Sequence, residues 1–219
     1  MKPLGKICLA LQVLLLFAPA NNAAASHKNR GRYRDVSSRP EGQLERLRAV
    51  MLPLLRVTNH PMPLDQIQVS IIDDPAINAA SAGNGQYYVT TALMNQASDD
   101  QLRGVLAHEI AHEDLGHPMK AQILGTGVEI GTALLEKIFP GSSTVAPMAG
   151  TLITNRYSRP MELAADRHGV TLLQRAGYSK QTMIDTLAWL MRRNGDSGGG
   201  FFATHPATSE RIQALRNLR

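Results

Sequence analysis

Residues Val105 to Pro118 read VLAHEIAHEDLGHP, with His108 and His112 four apart and Glu109 beside the first. On a helix, residues four apart share a face. Two imidazoles so placed can each bring a nitrogen to about 2.0–2.1 Å from one Zn²⁺ without bending the backbone. Glu109 is too short and wrongly directed to be a ligand. It suits a water activated by the metal, which is where a general base is needed. The pattern therefore predicts one Zn²⁺ per chain and asks for a ligand from elsewhere.

His117 is the local candidate. The extended motif H-E-x-x-H-x-x-G-x-x-H wants glycine at 115 and histidine at 118, but those positions hold Leu115 and Pro118. With the register displaced, His117 is expected to cap or end the helix. The alternative is a glutamate from a later helix. Glu162, in RPMELAAD, opens a helix after Pro160, and Asp166 lies four residues on. Both carboxylates then share one face. Glu162 can ligate while Asp166 accepts a hydrogen bond from a ligand histidine and fixes its tautomer.

These residues need elements to hold them. Leu44, Leu47, Val50, Met51, Leu54 and Leu55 recur at helical spacing, and Pro53 is expected to kink or end that helix. IQVSIID, from Ile67 to Asp73, alternates as a strand does. Gly83-Asn84-Gly85 predicts a hairpin turn between two short strands. Ser98 or Asp99 caps an amphipathic helix that carries the histidines. Further helices are expected over Met119–Phe139, from about Val145 to Tyr157, over Arg159–Arg175 with Ala176-Gly177 closing it, over Ser179–Arg193, and over Pro206–Leu218. Loops fall at 140–143 and 194–200. The order predicts an α+β domain, mostly helical, with a small sheet.

The ends carry different information. Lys2 and Lys6 precede an apolar run from Ile7 to Phe17, followed by Ala18-Pro19-Ala20 and Ala23-Ala24-Ala25. That reads as a secretory signal peptide over 1–25, because the apolar run is too short to span a membrane. A basic arm covers 26–40 and a single domain 41–219. The only cysteine, Cys8, lies inside the signal, so the mature chain has no thiol ligand and any metal falls to His, Asp or Glu. The net charge of +5 is concentrated at the start. The signal carries +2 and the arm +4, leaving about −1 for residues 40–219. The arm could make peripheral contact with an anionic membrane surface. Nucleic acid is not an expected partner, since aromatics are 5% and no basic-aromatic stripe appears.

HEIAH with His117 five residues on, then YSRPMELAAD, then THPATSERI, resembles the gluzincin peptidases of the HtpX/Oma type, the M-forty-eight peptidases. The likeness runs from about Leu44 to the C-terminus and is greatest to the secreted bacterial branch with BepA- and LoiP-like proteins. With Arg219 as its last residue, the chain is expected to lack the tetratricopeptide repeats of BepA-like members. The resemblance implies a zincin-like domain whose sheet edge lies beside the H-E-x-x-H helix. It implies His108, His112 and Glu162 as zinc ligands, Glu109 as catalytic base, and a substrate strand added at Asn78, Ala79 and Ala80. It also implies that His205 either occupies the water's position and closes the site or stabilises the oxyanion, with Arg211 packed nearby. The expected function is a periplasmic zinc endopeptidase acting on unfolded or misassembled envelope proteins. A chaperone-like binding module using the same groove is the alternative, although it would have no need of Glu109. An exopeptidase would want an acidic cluster facing the metal, and Glu113 and Asp114 are expected to lie off that face.

Overall fold

Ser98 starts the helix that organises the molecule. Its hydroxyl accepts from the Gln101 N–H at 3.2 Å, and the Gln101 side chain accepts from the Ser98 N–H at 2.9 Å. This reciprocal capping box satisfies two donors that a helix start would otherwise leave open. In the computed structural model, residues 40–118, 157–194, 200–206 and 209–218 are described. The expected signal peptide, the basic arm before Pro40, the helix expected over Met119–Phe139, the loop expected at 140–143 and the glycine-rich segment 195–199 lie outside the described residues. So does the helix expected from Val145, except Tyr157, which is not helical.

Helix α1 (Pro40–Leu55) leads to β1 (Gln68–Ile72), β2 (Ala79–Gly83) and β3 (Gln86–Thr90). Helices α2 (Thr91–Gln96), α3 (Asp99–Asp114), α4 (Arg159–Arg175), α5 (Gln181–Asn194) and α6 (Ser209–Arg216) follow. The architecture is the expected α+β one, mostly helical with a small sheet. Its strand order is β1-β3-β2, with β3 parallel to β1 and antiparallel to β2. The β2–β3 turn is the expected one: Gly83, Asn84 and Gly85 all take positive φ. At Gly85 a side chain would also press to 3.0 Å from the Gln66 carbonyl, so the turn needs glycine there for both reasons.

Some boundaries differ from expectation. Pro53 neither stops nor shortens α1, which continues to Leu55. Helix α2 was not expected. Thr90 caps it by accepting from the Leu93 N–H at 3.2 Å, so the chain turns straight from strand to helix. Helix α6 begins at Ser209, after a 3₁₀ turn at Gly200–Ala203. Helix α5 begins at Gln181 rather than Ser179, whose hydroxyl accepts from the Gln181 N–H.

Helix α3 is not amphipathic in the ordinary sense. Every residue from Gly104 to His112 is buried, because α1, α4, α5 and β2 all pack on it. A helix enclosed on all sides normally carries apolar residues throughout. This one carries His108, Glu109 and His112, so their polar atoms must find partners inside the protein.

Gly104 marks the closest approach of α3 to α5. A Cβ there would lie 2.7 Å from the Thr186 Cβ, and Thr186 is fixed by donating to the Thr182 carbonyl at 2.7 Å. Gly169 on α4 would meet the flexible end of Met183 at 2.6 Å and, less tightly, the Ala107 carbonyl at 3.2 Å. Helix propensity alone favours alanine at both sites by up to about 1 kcal/mol. Overpacking wins at Gly104: Gly104→Ala is expected to destabilise by about 1–3 kcal/mol, and Gly169→Ala by clearly less. Thermal denaturation of the two variants checks this, and a higher Tm for Gly104→Ala would contradict the packing described.

Candidate metal centre

Helix α4 begins with Pro160 near its start, which has no N–H to lose there, and Glu162 falls in its first turn. Packed against α3, it brings Glu162 and Asp166 to face His108 and His112. His205, from the turn before α6, closes the group. Its own N–H donates to the Phe201 carbonyl at 3.1 Å, and its ring stacks on Phe201 with centroids 4.5 Å apart. His108, His112, Glu162 and His205 are each at most 1% exposed, and their ligand atoms all lie within 4.8 Å of one another.

The distances among these atoms are informative. His108 Nε2 lies 3.0 Å from His112 Nε2 and 3.2 Å from His205 Nδ1. Glu162 Oε1 lies 3.3 Å from His112 Nε2 and 3.1 Å from His205 Nδ1, and its Oε2 lies 3.4 Å from His108 Nε2. A tetrahedron of ligands about 2.0–2.1 Å from a Zn²⁺ has edges of about 3.3–3.4 Å. The spacing is that of a coordination shell. Charge agrees with it: among the described residues, Glu109, Glu162 and Asp166 are three buried carboxylates here, with the buried guanidinium of Arg211 beside them. When all are ionised, a divalent cation balances the remainder. The group is therefore able to hold one metal ion, and zinc suits its nitrogen and carboxylate donors.

Titration behaviour follows from the same packing. Burial works against a charged His108, but the Glu162 and Asp166 carboxylates outweigh it and raise its pKa to about 9. Burial, helped by the neighbouring His108 and His205, holds His112 well below its usual range. Burial would raise Glu162, yet His205 and His108 keep it well below the ordinary carboxylate range. Burial also opposes ionised Asp166, and the Arg211 guanidinium overcomes that, lowering it to about 2.

Around the four donors stands a ring of supports. His108 Nδ1 faces Asp166 Oδ1 at 3.0 Å. Arg211 grips Asp166 with two bonds of 2.7 Å, from Nε and Nη2, and reaches Glu162 Oε2 with Nη1 at 2.6 Å. Glu109 does not point at the donors as a ligand would. Its Oε2 accepts from the Ser81 N–H at 2.9 Å, and its Oε1 lies 3.3 Å from His205 Nε2. Among the described residues, that Oε1 has no aligned hydrogen bond. Burial raises the Glu109 pKa, against the opposing pull of His205 and His108.

The sheet reaches the site through β2, the edge strand beside α3, as expected. Ala79 and Ala80 lie in β2, while Asn78 precedes it: its carbonyl accepts from the Thr90 N–H and hydroxyl, and its own N–H donates to Thr90 Oγ1. The Ala79 N–H donates to Asn78 Oδ1 at 2.9 Å, and the Ser81 N–H goes to Glu109. These two donors are met by side chains rather than by another strand.

Three supports were missed from the sequence. Glu113, one turn beyond Glu109, accepts from Ser81 Oγ at 2.7 Å and from the Gly85 N–H at 3.2 Å, tying the hairpin to α3. Its i+4 spacing from Glu109 was the available signal. Tyr157 stacks on His112 with centroids 3.9 Å apart, and no periodicity announces it. Phe201 backs His205. Asp114 faces away from the donors, as expected. It accepts from the Asn59 and His60 N–H groups, both at 2.8 Å, and meets His168 Nε2 at 2.6 Å. His117 is outside the donor group but is not simply a helix end: its Nδ1 lies 2.9 Å from His112 Nδ1.

With this geometry established, comparison with known proteins is decisive. The model of peptidase family M48 matches residues 41–219. The chain belongs to peptidase family M48. It is 30% identical to metalloprotease YcaL of Escherichia coli K12 over 146 residues, 64% of this chain and 58% of that protein. It is 28% identical to metalloprotease LoiP of the same strain, with the same shares covered. A protease HtpX homolog of Burkholderia mallei SAVP1 is 30% identical over 201 residues, 73% of this chain and 69% of the relative. The M48 chain thus spans less than two thirds of the length of YcaL and LoiP.

Arg211 carries the electrostatic load of this M48 site. Replacing it by methionine keeps the volume roughly constant but leaves Asp166 and Glu162 without their guanidinium partner. Loss of one partner from a buried ionic group costs about 3–5 kcal/mol. Urea denaturation of the metal-free Arg211→Met protein should show a midpoint lowered accordingly, and an unchanged midpoint would show the guanidinium is not needed to bury the carboxylates.

Proposed function

We propose that the chain is a zinc-dependent endopeptidase of the bacterial periplasm, reached through the signal peptide, that cleaves unfolded or misassembled envelope proteins. The observation that carries the reading is the convergence of His108, His112, Glu162 and His205 at coordination spacing, with the Glu109 carboxylate beside them. The substrates are polypeptides because β2 is an edge strand next to that site, and small residues at Ala79 and Ala80 let an extended backbone approach. The basic arm would give peripheral contact with a membrane.

His108, His112 and Glu162 would hold Zn²⁺. When bound, the ion lowers the pKa of a water and polarises the scissile carbonyl as a Lewis acid. Glu109 takes a proton from the attacking water at Oε1 as the water oxygen bonds to the carbonyl carbon. It delivers that proton to the amine nitrogen as the C–N bond breaks. A pKa raised by burial suits it to hold the proton between the two steps. The Ser81 N–H fixes the other oxygen, so the carboxylate cannot rotate away.

Of the two roles open to His205, the geometry favours closure. Its Nδ1 takes the fourth corner of the donor group while its Nε2 faces Glu109 Oε1, occupying both places a water would need. The site would be at rest in this arrangement and would work with the imidazole withdrawn.

Two experiments test the proposal. Glu109→Gln should retain zinc and lose peptide cleavage by about 10²–10⁴-fold, whereas Glu162→Ala should lose the metal as judged by metal analysis. Casein-like substrate cut normally by Glu109→Gln would sink the mechanism, and equal rescue of an envelope defect by that variant would place the function in binding instead. For His205, alanine should raise the rate on an unstructured peptide several-fold. A fall of about 10²–10³-fold would instead assign it to the oxyanion.

A further inference from the structure

The two imidazoles at the start and end of HEIAH are supported differently. His108 turns its outer nitrogen to a carboxylate, with Nδ1 3.0 Å from Asp166 Oδ1. His112 turns its outer nitrogen to another imidazole, His117 Nδ1, at 2.9 Å. Two ring nitrogens at that distance share one proton, and which ring owns it decides what His112 can do.

If the proton sits on His112 Nδ1, its Nε2 carries a lone pair toward His108 and Glu162, ready to ligate. His117 Nδ1 must then be a bare acceptor, with the proton of its neutral ring on Nε2. If His117 Nδ1 owns the proton, a neutral His112 carries its own on Nε2, in the middle of the donor group, and cannot ligate. We infer that His117 is a positioning residue, a hydrogen-bond acceptor that holds His112 in its ligating tautomer. The inference rests on the reading of His112 as a zinc ligand.

The chain is built to bring His117 there. Helix α3 closes with the Leu115 N–H donating to the Ala111 carbonyl and the Gly116 N–H to the Glu113 carbonyl. Gly116 then takes φ +66°, and a side chain there would meet nothing within 4 Å. Glycine is thus used for its left-handed backbone, which turns His117 back onto His112. Both rings are buried, His112 at 0% and His117 at 5% exposure, and Tyr157 stacks on His112. Bulk water therefore has no ready route to replace the imidazole as acceptor.

The test uses the zinc-loaded full chain with nitrogen-15-labelled histidines. Long-range proton–nitrogen spectra should place the shared proton on His112 Nδ1, with a nitrogen–nitrogen coupling across the bond to His117 Nδ1. In chelator competition, His117→Phe should bind zinc about 10–100-fold more weakly than wild type. His117→Asn, whose carbonyl can accept in the same place, should regain most of the loss. A proton found on His117 Nδ1, or unchanged zinc affinity in a folded His117→Phe protein, would overturn the inference while leaving the metal site intact. A wild-type chain that takes up no zinc would overturn both. The spectra of wild type decide the matter even if His117→Phe does not fold.

Discussion

Among the described residues, the carboxylates of Glu109, Glu162 and Asp166, the Arg211 guanidinium and the imidazoles of His108, His112 and His205 are buried where α3, α4 and the turn before α6 meet, and the helices can pack this closely because these groups pair with one another and together suit a divalent cation. An unpaired charge in such a place costs several kcal/mol. The register of α4 along α3 is therefore fixed by matching polar atoms as well as by apolar shape. Shifting α4 by one residue would carry Glu162 and Asp166 to another side of the helix and strand both histidines. Arg211 sits at the hinge of this arrangement, since it hydrogen-bonds Asp166, pairs with the charge of Glu162 and thereby seats α6 on α4.

The same demand explains why the outer parts of the fold look as they do. Glu113 has no part in the donor group, but it holds the β2–β3 hairpin against α3, which sets the height of Ser81 and so the direction of Glu109. Asp114 clamps the loop after α1 and reaches α4 through His168. Capping at Ser98 fixes where α3 begins, and Gly104 allows α5 to close on its far side. Each of these contacts is remote from the donors, yet each removes a freedom that the donors could not tolerate.

Much of this was legible because it is local. The His108–His112 spacing, Glu162 with Asp166 one turn on, the Gly83-Asn84-Gly85 turn and the Ser98 cap are short-range patterns whose meaning follows from helix and turn geometry. Helix α4 was bounded at both ends by Pro160 and Gly177. What stayed hidden depends on contacts far apart in the chain. Tyr157 on His112 and Phe201 under His205 follow from tertiary packing, and no period in the sequence marks them; the i+4 spacing of Glu113 from Glu109 puts the two on one face but does not reveal Ser81 as its partner. His117 is the instructive case. Its register correctly excludes it from the donor group, but spacing could not reveal that a left-handed Gly116 returns it to the outer side of His112.

Glu109 shows why strand and helix cannot be understood separately. Its Oε2 is held by the N–H of Ser81, a residue of the edge strand, while its Oε1 faces His205. The Ala79 N–H two residues earlier is met by the Asn78 side chain. Both donors lie along the edge where an added backbone would pair, so the edge is covered by the protein's own polar groups rather than left bare. Such cover is a common safeguard for an exposed strand edge. Here one of the covering groups is Glu109, the general base of the proposed mechanism. An incoming strand that paired with β2 would compete for the Ser81 N–H, and the competition would be felt directly at the Glu109 carboxylate. On the proposed reading, substrate alignment and the freedom of the base are thus two consequences of one hydrogen bond.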